Sequence, residues 1–108
     1  MTPDVTQPAI LAPSECTSMD QVRAGVDATD RELLRLLAQR FGYMRAAARI
    51  KSLREQVRDE ERKRAVIAAA CRDADRLDVP AMLVASLWEQ LVEASIAYEL
   101  AEWDRIRM

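Results

Sequence analysis

Two long cationic side chains stand where an amphipathic helix should present apolar ones. Arg40 and Lys51 continue the series Leu33, Leu36, Leu37, Met44 and Ala47. Their separation of eleven residues is ~1100° of helical rotation, ~20° out of register, with a rise of ~16 Å. Both therefore project from one face into space that should be core. An unpaired cation there costs several kcal/mol, so the spacing calls for an anion between them. A single Arg on such a stripe is ordinarily a stem that snorkels to water or pairs with an acid of another helix; two in register fit that explanation less well. Glu99 interrupts a second stripe, Trp88, Val92, Ser95, Trp103 and Ile106. A carboxyl there is expected either to pair with an Arg across an interface or to stay protonated and donate a hydrogen bond. Arg62 is a further anion ligand by position, since a cation in the first turn of a helix opposes the dipole and suggests a use. Its plainer reading is an exposed pair with a nearby Glu, worth about 0–1 kcal/mol. Arg23, seventeen residues before Arg40, lies ~100° around the helix. It faces away from that pocket in its own chain but is placed to reach the pocket of an antiparallel partner.

The rest of the inventory removes whole classes of chemistry. The 108 residues contain no His, which excludes a His general base, a Ser–His or Cys–His dyad and a zincin motif. Gly25 and Gly42 are the only glycines, too far apart for a phosphate-cradling loop. Cys16 and Cys71 lack CxxC spacing and suit a reduced, cytoplasmic chain rather than a metal site. With 16 Lys and Arg against 18 Asp and Glu, the net charge of -2 argues against nucleic acid or anionic lipid as a partner. No stretch reaches the ~20 apolar residues of a membrane span. The Met19, Met44, Met82, Trp88 and Trp103 side chains read as packing rather than as a cofactor box.

These residues must be positioned by helices. Residues 1–15 hold three of the four prolines, lack the basic start and apolar run of a signal peptide, and read as a flexible arm. Residues 16–108 form one small helical domain. Ser18 with Gln21 three residues on is a capping box that opens a helix of roughly thirty residues, beyond the ~10–14 residue average. A helix that long exceeds what a compact monomer of this size needs and is expected to pack against another chain. Residues 51–58 read as a loop or frayed turn. Asp59, Glu60 and Glu61 then open a second helix carried by Val66, Ile67, Ala70 and Cys71. A break at residues 76–80 uses Asp78 as a cap with Pro80 in the first turn. A third helix follows, with Leu83, Leu87, Leu91, Val92, Ile96 and Leu100 apolar, and no stretch alternates for long enough to suggest a strand.

On these residues the chain resembles the AroQ-type chorismate mutases, and most nearly the branch that includes isochorismate–pyruvate lyases. The matching segments over residues 14–107 are Val22-Arg23-Ala24-Gly25-Val26-Asp27, Leu37-Ala38-Gln39-Arg40, Ala46-Ala47-Ala48-Arg49-Ile50-Lys51, Asp59-Glu60-Glu61-Arg62 and Leu87-Trp88-Glu89-Gln90 with Ile96-Ala97-Tyr98-Glu99. The resemblance implies an all-α, three-helix chain in an intertwined homodimer with two sites, each completed by the partner's first helix. Arg23 would come from the partner and bind a carboxylate, Arg40 and Arg62 would bind carboxylates, and Lys51 would meet the ether oxygen of the enolpyruvyl bridge. Asp59 would lie near the ring hydroxyl and Glu99, as a protonated donor, near the ether oxygen. The implied reaction is the Claisen rearrangement of chorismate to prephenate, which needs no nucleophile, metal or cofactor. Two departures bear on the substrate: Lys63 stands where mutases usually carry Glu, and the loop before Arg62 is one residue short, as in the lyases. Asp59 is mutase-like. The alternatives are therefore isochorismate–pyruvate lysis to salicylate and pyruvate, and a helical dimer that binds the dicarboxylate without turnover.

Overall fold

Residues 10–108 are described by a computed structural model, and every regular element among them is helical. The elements are α1 (Met19–Ile50), α2 (Glu60–Arg76) and α3 (Ala81–Ile106), with 3-10 turns at Pro13–Glu15 and Arg54–Gln56. The chain divides into two units, Met1–Arg40 and Phe41–Met108.

In the first unit, the start of α1 is set by the Ser18 and Gln21 pair. Gln21 N–H donates to Ser18 Oγ at 3.3 Å, and Gln21 Oε1 accepts from the N–H groups of Ser18 and Thr17 at 3.2 and 2.7 Å. Three otherwise orphaned donors are satisfied, so the helix begins where the capping box requires. Residues 1–9 of the expected arm lie outside the described residues. Ile10, Leu11, Pro13 and Cys16 line an apolar groove together with Val22, Val26 and Thr29 of α1. None of the described residues of this unit is buried, and Val26, Leu33 and Leu36 remain about half exposed.

The second unit holds the core. Val57, Val92 and Ile96 are buried, with Val66, Ile67, Leu100 and Trp103 packed around them. Val57 is the reason that residues 51–59 are a pinned loop rather than a frayed turn: burying its side chain fixes the loop on α3. Arg54 reinforces this with a two-pronged pair to Asp104, at 2.9 and 3.2 Å. Asp59 caps α2 by accepting from Arg62 N–H at 3.0 Å.

The break between α2 and α3 departs from the sequence expectation. Asp78 does not cap α3; it sits at φ 59° as the left-handed residue that closes α2. Val79 N–H reaches back to Ala74 O at 2.9 Å and Asp78 N–H to Asp75 O at 3.5 Å, which is a Schellman ending. The cap position of α3 is Pro80, which supplies no side-chain bond. Asp is among the few residues that tolerate this backbone region, which is how the chain turns here without a glycine.

Candidate active site

Glu99 lies in the middle of α3 with its side chain only 5% exposed, on the stripe that also buries Val92 and Ser95. An isolated carboxylate at such a position would be strongly destabilising. Lys51, the first residue after α1, supplies the countercharge: its Nζ donates to Glu99 Oε2 at 2.7 Å. The lysine side chain is 30% exposed, so the pair is sunk at the carboxylate end and open at the ammonium end. An ammonium held in place yet partly accessible is suited to meet an incoming anionic or electron-rich oxygen. The expected partner for Glu99 was an Arg across an interface or no base at all; instead a Lys of the same chain donates to its Oε2.

The backbone that carries Lys51 is itself held. Lys51 N–H bonds to Ala47 O at 2.9 Å. Its carbonyl accepts from Trp103 Nε1 at 3.0 Å and from Arg107 Nη2 at 2.7 Å, while Arg107 Nη1 reaches Ala48 O at 3.0 Å. These groups satisfy carbonyls that the end of α1 would otherwise leave orphaned. The guanidinium lies 4.1 Å from the Trp103 ring centroid. Sequence reading took Trp103 as packing alone and did not single out Arg107. The legible signals were an indole N–H in a part-buried position, which must find an acceptor, and an Arg four residues later on the same helix. Elsewhere between α1 and α3, Tyr98 Oη accepts from Arg45 Nη1 at 2.9 Å, and its ring meets Phe41 edge-on at 4.9 Å.

The other expected site residues are placed differently. Arg23 is largely exposed, with only a loose 3.9 Å approach to Asp20. Arg40 is half-buried on α1. Arg62 is exposed at the start of α2, and the nearby Asp59 commits one carboxylate oxygen to capping that helix. Within the second unit, the structure therefore brings Lys51 and Glu99 together and leaves Arg62 in solvent.

Lys63, notable in the sequence as a basic residue in an acidic position, is engaged with α3. Its Nζ lies 2.7 Å from Glu89 and 3.1 Å from Glu93, and Glu93 also takes two bonds from Arg58 at 3.0 and 2.9 Å. The Arg58 bonds, then that of Lys63, hold the Glu93 carboxyl well below its ordinary 4.5, at about 2. Glu89 and then Glu93 push the Lys63 ammonium upward. Arg54 likewise holds Asp104 below the usual carboxylate range. Among the described residues no cluster of His, Cys, Asp and Glu could hold a metal, and no helix is long and apolar enough to cross a membrane.

Residues 22–100 match the family described as chorismate mutase type II. The chain is also 27% identical over 95 residues to the isochorismate pyruvate lyase of Pseudomonas aeruginosa, an alignment covering 88% of this chain and 94% of that protein.

Proposed function

From the premise that the chain belongs to the chorismate mutase type II family, we propose that it converts chorismate to prephenate at a site centred on Lys51 and Glu99. The observation that carries this reading is the 2.7 Å contact between the accessible Lys51 ammonium and the sunk Glu99 carboxylate. In the rearrangement the ether C–O bond breaks as a C–C bond forms within one molecule, and negative charge grows on the ether oxygen. No bond to the enzyme is made. Catalysis reduces to holding the dianion folded and stabilising that charge, and a preorganised ammonium achieves the second. Glu99 aims the Lys51 ammonium through its Oε2, and its other oxygen keeps the role expected of it, a donor near the ether oxygen. Arg40 and Arg62 bind the substrate carboxylates, and Asp59 meets the ring hydroxyl with its uncommitted oxygen.

The site is completed in a homodimer, with Arg23 contributed by the second copy. The half-exposed Val26, Leu33 and Leu36 support this, because a helix face with that much apolar surface is stable when another surface covers it. Cys16 and Cys71, without CxxC spacing and both free, support a reduced, cytoplasmic setting.

The similarity to the Pseudomonas lyase supports a second reading, isochorismate to salicylate and pyruvate. Lys63 bears on it less than its position suggests, since Glu89 and Glu93 already engage its ammonium. Incubating purified protein with chorismate and with isochorismate separately, and identifying the products, decides between them. Prephenate from chorismate is expected; salicylate from isochorismate with no prephenate makes the chain a lyase. Binding of either dianion with no product makes it a non-catalytic module.

A further inference from the structure

Three hydrogen bonds converge on the last turn of α1, and all of them come from the end of α3. Trp103 Nε1 and Arg107 Nη2 both bond to the Lys51 carbonyl, at 3.0 and 2.7 Å, and Arg107 Nη1 bonds to the Ala48 carbonyl at 3.0 Å. The two side chains also brace each other, with the guanidinium 4.1 Å from the indole centroid. Helix ends ordinarily fray because their final carbonyls have no partner within the helix. Here a cation sits on the negative end of the α1 dipole, and a fixed indole donor shares the same acceptor. Arg107 itself follows α3 directly, and its backbone N–H is tied to Asp104 O at 3.3 Å. The Lys51 carbonyl is thus held by Trp103 of α3 and by Arg107 just beyond it, while the Lys51 side chain is held by Glu99 one helical turn before Trp103. A lysine with a four-carbon stem has many rotamers; fixing both ends of it removes most of them.

We propose that Trp103 and Arg107 are positioning residues that clamp the carbonyl of Lys51 and so aim its ammonium at the reacting oxygen. This rests on Lys51 being the catalytic cation proposed above. Neither residue touches substrate. The clamp acts through Lys51, so its removal lowers the rate of the chemical step without weakening substrate binding.

Trp103→Phe removes the indole donor and keeps an aromatic ring beneath the guanidinium. Arg107→Ala removes the other donor at an exposed position. Each variant is expected to lower kcat roughly tenfold or more on the substrate turned over, with KM changed less than about twofold. Placed in a Lys51→Ala chain, neither should lower the residual rate further. Native-state amide exchange is read in the same proteins, independently of turnover. Protection of the Lys51 amide, bonded to Ala47 O, should fall about tenfold in each variant, beyond whatever fall the most protected amides of the same protein report for the chain as a whole. Unchanged exchange at residue 51 overturns the clamp whatever the kinetics. Wild-type kcat in both variants, with Lys51→Ala inactive, overturns the positioning role and leaves the site intact. Equal losses with and without Lys51 reduce the effect to general destabilisation and overturn it too. A fully active Lys51→Ala chain removes the premise instead, and that result is distinct from all three.

Discussion

At the scale of single residues, the proposed chemistry rests on how Lys51 and Glu99 divide burial between them. The carboxylate is almost fully enclosed, and the ammonium keeps a path to solvent. Glu99→Gln keeps the shape and an acceptor oxygen but removes the carboxyl that holds the ammonium; kcat is expected to fall about tenfold, with a loss of about 1–2 kcal/mol in chemical denaturation. That is below the figure for a fully buried pair because the Lys51 stem can carry its charge to water. An unchanged rate in Glu99→Gln would remove Glu99 from the mechanism. Both residues were legible in the sequence for one reason: each falls on an apolar stripe where a charge is anomalous. Their pairing was not legible, since the offset between the end of α1 and the middle of α3 depends on the loop that joins α1 to α2. Arg107 escaped notice because a basic residue near the end of a helix is ordinary.

At the scale of elements, local chemistry set most boundaries. The capping pair at Ser18 and Gln21 was readable because it is a short-range pattern with a known geometry, whereas Asp59, legible as one of three acids opening α2, turns out to be its cap. Asp78 was misread because Asp serves both as an N-cap and as a left-handed C′ residue, and the neighbouring Pro80 favoured the first use. Its φ of 59° makes a direct test: Asp78→Gly should raise stability by about 0.5–1 kcal/mol, while Asp78→Val should lower it, both read by thermal unfolding. A stabilising Val would contradict the left-handed ending. The packing of α2 on α3 carries a pH signature through Glu93. Its folded carboxyl titrates near 2 rather than 4.5, so it stabilises the fold above about pH 4.5 and that contribution is lost as pH falls toward 2. Glu93→Gln should therefore flatten the acid limb of the stability curve in that window. An identical acid limb in the variant would show that the Arg58 and Lys63 bonds contribute nothing to folding. The Lys63 pairing itself lay beyond the sequence, since its partners are 26 and 30 residues away.

At the scale of the whole molecule, the unfinished part is the surface of residues 19–40. Val22, Val26, Leu33 and Leu36 follow helical spacing, yet all are exposed in the single chain. Helix length and apolar periodicity are the sequence features behind the proposed second copy; Arg23 and Arg62 are exposed in the single chain. Sedimentation equilibrium should give two copies, and Val26→Asp should yield single chains that lose turnover together with the dimer. A native chain that sediments alone at micromolar concentration and still turns over would refute the shared site. The central claim is that one preorganised ammonium stabilises the breaking ether bond. The most direct measurement is the turnover of chorismate and isochorismate by the native chain and by Lys51→Ala under identical conditions. The native chain should rearrange chorismate, and the variant should lose about 10²–10³ in kcat. Native-level turnover by Lys51→Ala would contradict it.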